Sequence, residues 1–164
     1  MPNANIMNVN DIMSGTGGSA YLTLHGSEGD ERFCLFNIQK YKAQVDLTKK
    51  ERGLLGSPRR VNYVTGWKGT WSATVDFNVS TYTRMMQVYK DTGEFPRFEI
   101  QTTNENYSGN TGKQEVILKE CLLDSAVIAM FDTEADSLTM DISGTFDDFE
   151  VPTAFTEMPG YRVS

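Results

Sequence analysis

From Trp67 the chain alternates. Trp67, Gly69, Trp71, Ala73, Val75, Phe77 and Val79 are apolar or small, and Lys68, Thr70, Ser72, Thr74, Asp76 and Asn78 between them are polar. A period of two sends successive side chains to opposite faces, so residues 65–79 are predicted to form a β-strand with one dry and one wet face. At about 3.3 Å per residue such a strand spans roughly 50 Å. Ordinary strands have about 5–6 residues.

The same pattern recurs. In 33–48, Ala43, Val45 and Leu47 alternate with Lys42, Gln44, Asp46 and Thr48, after a phase break at 37–40 that predicts a bulge or bend. In 138–146, Leu138, Met140, Ile142, Gly144 and Phe146 alternate with Thr139, Asp141, Ser143 and Thr145. Shorter strands are predicted at 19–24, turning at 25–27, and at 95–103, with Pro96 near its start as an edge position permits. Residues 114–129 are mostly apolar, which suits a strand covered in part on both faces. One segment has the other period. Tyr82, Met85, Met86 and Tyr89 follow helical spacing, with Ser80 as N-cap, Lys90 in the last turn and Gly93 as the stop. The fold class is therefore mainly β, with two packed antiparallel sheets and one flanking helix.

A chain of 164 residues suits one domain. Its expected divisions are a flexible Asn- and Gly-rich arm at 1–17, a body at 18–150 and an irregular tail at 151–164 containing Pro152 and Pro159. Residues 49–64 break the alternation, and Gly53, Gly56 and Pro58 predict a long loop there. It carries Lys49, Lys50, Arg52, Arg59 and Arg60 against Glu51, with Leu54 and Leu55 at its tip. Two readings stand: a solvated basic loop, or a docking loop that buries its leucines on an acidic partner.

Charge and chemistry narrow the function. The formal net charge of −7 argues against a DNA-coating protein, whose footprint is basic. No run reaches the roughly 20 apolar residues of a membrane helix, and the N-terminus lacks the basic and apolar regions of a signal peptide. Cys34 and Cys121 are expected as reduced, buried thiols. The single histidine, His25, falls in a predicted turn, and no Ser/His/Asp, Cys/His or metal-ligand cluster accompanies it. The adjacent pair Asp147-Asp148 points to opposite faces of a strand and suits a solvated end. No enzyme activity, cofactor or metal is expected.

Long strands with wet faces and long unpaired edges invite pairing between subunits. Copies of the chain could close a wide barrel, with dry faces on the core and wet faces lining a water-filled lumen. Alternation assigns Lys42, Gln44, Asp46, Thr70, Ser72, Thr74, Asp76, Asp141, Ser143 and Thr145 to that lumen. The three aspartates would make it net negative and repel nucleic-acid phosphates, favouring sliding over gripping.

The order of motifs adds a family. TGWKGTWSATVDFNVS, then TYTRMMQVYKDTGEFPRFEIQTTNEN, then EVILKECLLDSAVIAMFD and SGTFDDFE, resembles the tail tube proteins of PBSX-type contractile phage tails and related tailocins over residues 18–150. TGWKGT, FEIQT and LLDS are the most specific elements. The resemblance implies hexameric rings stacked into a tube inside a contractile sheath, with four strands of each subunit joining a continuous inner β-barrel. It implies a virion or tailocin tail assembled in the host cytoplasm. The implied partners are further copies of the chain and the sheath, tape measure, baseplate and tail terminator proteins, with DNA only in transit. By order along the chain it implies that the 49–64 loop, with Lys49, Lys50, Arg52, Leu54, Leu55, Arg59 and Arg60, contacts the adjacent ring. Two alternatives stay open: a tube-like protein of a type VI secretion system, and a monomeric ligand-binding barrel of lipocalin type.

Overall fold

Alternating sequence gives strands and the one helically spaced stretch gives the helix. The computed structural model describes residues 12–26, 29–35, 37–106, 111–157 and 161–162. In order the elements are β1 (Gly18–Gly26), β2 (Gly29–Cys34), β3 (Ile38–Leu54), β4 (Ser57–Asp76), α1 (Thr81–Thr92), β5 (Phe98–Glu105), β6 (Lys113–Ser125), β7 (Thr139–Phe146) and β8 (Asp148–Thr153). Most of the arm expected at 1–17 lies outside the described residues.

Contacts divide the chain into two units interleaved along the sequence. The first holds β1, β2, β5, the 113–119 half of β6 and most of β8. β1 is antiparallel to both β2 and β5. Register sets Ala20 opposite Thr102, Leu22 opposite Ile100 and Leu24 opposite Phe98. Phe98, Ile100 and Leu22 are buried, as the alternation of FEIQT requires. Burying each such side chain contributes about 1.5–3 kcal/mol. Gly17 closes the edge: its carbonyl accepts the Glu105 N–H at 2.9 Å, and a Cβ there would lie 2.3 Å from the Glu105 carbonyl oxygen.

His25 sits at the end of this ladder, not in a bare turn. Its Nδ1 is 3.0 Å from Asp30 Oδ1 on β2, and its Nε2 is 3.4 Å from Glu99 Oε1 on β5. The hydrogen bond to Asp30, then the charges of Asp30 and Glu99, hold its pKa above the ordinary imidazole value of 6.5. A raised folded pKa stabilises below the unfolded value, and that contribution fades as pH rises through the folded one. The proton resonances of this single imidazole are therefore expected to titrate above 6.5, and Asp30→Asn should bring the midpoint down. An unchanged midpoint in that variant would contradict the clamp.

The second unit holds β3, β4, α1, β7 and the 120–125 half of β6. β4 is its centre, paired antiparallel with β3 on one side and β7 on the other. Trp71, Ala73 and Val75 of β4 lie opposite Gly144, Ile142 and Met140 of β7, and all six are buried. α1 buries Tyr82 and Met85. Ser80 occupies the N-cap position, but its side chain makes no cap bond; its carbonyl accepts the Arg84 N–H. Gly93 ends the helix at φ 78°, donating to the Tyr89 carbonyl. Arg97 Nη1 bridges Asp147 at 2.7 Å and Glu120 at 3.2 Å, so Asp147 is an ion-pair partner as well as a strand end.

The structure corrects several further expectations and bears out one. Residues 49–64 are not a loop but the outer half of the β3–β4 hairpin, with ladder pairs running to Leu54↔Ser57. The first residues of the expected irregular tail, 151–153, are the end of β8. The bulge expected in the phase break at 37–40 is present, as a register shift at Ile38/Lys40, and the same break separates β2 from β3. Cys34 is exposed, and only Cys121 is a buried thiol.

Candidate functional site

The hairpin and its neighbour β7 build two surfaces. The first is polar. Register places Lys42, Ser72 and Ser143 in one row across β3, β4 and β7, and Gln44, Thr70 and Thr145 in the next. Asp46 faces Lys68, Thr74 faces Asp141, and Asp76 faces Thr139. Directly opposed residues in a ladder share a face. All ten residues selected by alternation thus lie on one face of one sheet. Lys42, Gln44, Thr70, Ser72 and Ser143 line a shallow groove there.

Short bonds tie this face together. Thr74 Oγ1 donates to Asp141 at 2.7 Å, Gln39 Nε2 to Asp76 at 2.7 Å, and Gln44 Nε2 to both Asp46 oxygens at 3.2 Å. Ser143 Oγ is 3.4 Å from Asp124 Oδ2, which brings Asp124 of β6 into the groove. The net charge is smaller than the three aspartates alone would give. Lys40, Lys42 and Lys68 share the face with Asp46, Asp76, Asp124 and Asp141, so it carries one acid in excess. Sequence reading missed Lys40 because the bulge at Ile38/Lys40 resets the phase. It missed Asp124 because the apolar run Cys121-Leu122-Leu123 before it shows no alternation. Lys68 falls on the wet phase of the alternation, and the register sets it opposite Asp46.

The second surface is the outer hairpin. A two-residue reversal at Leu55-Gly56, with Gly56 at φ 78°, joins the strands. From Thr48 to Arg60 every residue is exposed. Pro58 and Arg59 fall where the register shifts, the position in a ladder that tolerates proline. A second shift at Thr48/Lys49 lets Thr65 Oγ1 donate to the Thr48 carbonyl at 3.2 Å. Arg60 pairs with Glu51 at 3.4 Å; Lys49, Lys50, Arg52 and Arg59 have no ion pair among the described residues.

The dry face does not stay dry along this hairpin. Trp71, Ala73 and Val75 are buried, yet Leu47 is 55% and Trp67 43% exposed. Val45 and Val64, on the same face by register, are exposed too. The Trp67 ring lies beside the Phe146 ring, with centroids 6.2 Å apart. An isolated two-stranded ribbon is marginal in water. This one carries an apolar stripe and, among the described residues, a β3 edge with no strand beside it, the two features that invite pairing.

Comparison with known proteins decides the family. The model of the phage tail tube protein family matches residues 5–153. The chain belongs to that family. It is 29% identical over 147 residues to the phage-like element PBSX protein XkdM of Bacillus subtilis, covering 90% of this chain and 95% of the relative. It is 30% identical over 142 residues to YqbM of the same organism, covering 87% and 91%. Solved structures share the fold at low identity. The sheath/tube terminator of the extracellular contractile injection system PVC aligns at TM-score 0.67 and 10% identity, over 89% of this chain and all of the other. The tube-terminating cap of the anti-feeding prophage aligns at 0.66 and 11%, over 93% and 99%. The tail tube protein described here is thus a structural subunit, mainly β with one helix. Among its described residues no helix is long and apolar enough to cross a membrane.

Proposed function

We propose that copies of this chain close into hexameric rings and that the rings stack into the inner tube of a contractile tail or tail-like particle. The polar face of β3, β4 and β7 lines the bore, and the outer hairpin joins one ring to the next. The observation that carries this reading is the hairpin: seventeen- and twenty-residue strands whose outer halves are uncovered within the chain. DNA passes the bore without being gripped, because the wall offers hydroxyls, amides and nearly balanced charge rather than a basic stripe. In this reading the chain is a structural part and not a catalyst, and the sheath, tape measure, baseplate and terminator proteins are its partners.

Negative-stain microscopy of the purified chain tests this. Hollow rods or rings are expected; compact monomers at every concentration would end the proposal. Asp76→Lys tests the wall. Among the described residues the Asp76 carboxylate accepts a side-chain hydrogen bond from Gln39 alone, so the variant should fold and assemble while particles carrying it eject DNA more slowly. Failure to fold would show that Asp76 is structural.

A further inference from the structure

We propose that the segment 128–136, between β6 and β7, is the receptor for the basic hairpin of a second copy. The inference rests on the stacked-ring reading and names the partner surface that reading needs. Residues 128–136 form no strand or helix. They nevertheless expose two large apolar side chains, Ile128 at 65% and Phe131 at 88%. Three carboxylates follow: Asp132, Glu134 and Asp136. None of the three has an ion pair among the described residues. The backbone there is shaped, since Glu134 N–H donates to Asp132 Oδ1 at 3.0 Å and Ala135 N–H to the Asp132 carbonyl at 3.4 Å.

The hairpin tip is the complement. It exposes Leu55 fully, at 106%, beside Leu54. Lys50, Arg52 and Arg59 flank these leucines without ion pairs among the described residues. Each surface thus has two apolar anchors and about three charges, of opposite sign. Both are uncovered in the same chain, so neither satisfies the other within it. A second copy brings both complements at once. The two patches differ, so the contact is heterologous, and a heterologous contact that does not close propagates as an open stack. Burial of Phe131 and Leu55 supplies the anchor, and the charges select partner and register.

Reversal and rescue test this. Wild-type rods are measured by pelleting and by length in negative stain. The triple variant Asp132→Lys, Glu134→Lys, Asp136→Lys should cut pelletable rods roughly tenfold or more while circular dichroism still reports a folded chain. Adding Lys50→Glu, Arg52→Glu and Arg59→Glu to the same chain should restore them. In a Cys34→Ser background, Leu55→Cys with Phe131→Cys should yield disulfide-linked multimers on oxidation, and either change alone should not. Rods undiminished in the triple variant, or no crosslink in rods that form normally, overturn the receptor assignment and leave the tube reading standing. Absence of rods in the wild type sinks both.

Discussion

A chain in which residues 50–63 are replaced by Asn-Gly should fold as before and form no rods. Lys49 and Val64 are ladder partners, so a two-residue reversal can join them without moving the rest of the hairpin. The deletion removes no buried residue; thirteen of its fourteen positions are exposed and Val61 is partly so. Surface changes of this kind usually move stability by no more than about 0.5 kcal/mol, so melting temperature should hardly change. What is lost is the tip with Leu54, Leu55, Arg52 and Arg59. Rings, if edge pairing makes them, should persist singly. Rods of ordinary length from this variant would show that the hairpin does not join rings.

The largest effect on the subunit itself is expected at Gly144. A Cβ there would lie 1.8 Å from the Leu122 carbonyl oxygen and 2.9 Å from both the Leu122 carbonyl carbon and Trp71 Nε1. Real Cβ atoms do not approach so closely, and the obstacle is backbone. Leu122 is pinned by its pairing with Thr145 and by the shifted register after Leu123, so it cannot retreat without opening the β6–β7 ladder. Gly144→Ala should therefore cost about 3 kcal/mol or more, a large share of the roughly 5–15 kcal/mol that stabilises a domain. Gly69 is a useful contrast. Its Cβ would meet the Phe146 ring at 2.3 Å, but a ring can turn about χ1 and χ2. Gly69→Ala should cost less, about 1–2 kcal/mol. Denaturant unfolding of the two variants measures the order, and a cheaper Gly144→Ala would contradict the backbone explanation.

How much of this was legible follows from where water sits. Residues 69–75, 98–102 and 139–146 alternate because one face meets the core and the other meets water, and period two records that contrast directly. The outer hairpin has water on both faces within the chain, so Lys49, Lys50, Glu51 and Arg52 run in sequence with no contrast to read. Its reversal at Leu55-Gly56 lacks the Asn-Gly or Asp-Gly signal, and Pro58 argues against a strand until the irregular register is seen. Trp67, Leu47 and Val45 read as core because alternation reports which face is apolar, not whether the chain itself covers it. β6 hides Asp124 because a strand with apolar residues on both faces has no phase. The ten wet-face residues came through because side-chain direction needs only local geometry. The role of that face needs copies of the chain that one sequence does not contain.

That role belongs to an assembly and not to one chain. Cryo-electron microscopy of rods assembled from the purified chain measures it directly. The expected map shows six-fold rings with Lys42, Gln44, Ser72, Asp141 and Ser143 lining the bore and the β3–β4 hairpin crossing to the next ring. Rods in which those residues face outward, or in which the hairpin crosses no ring boundary, would contradict it.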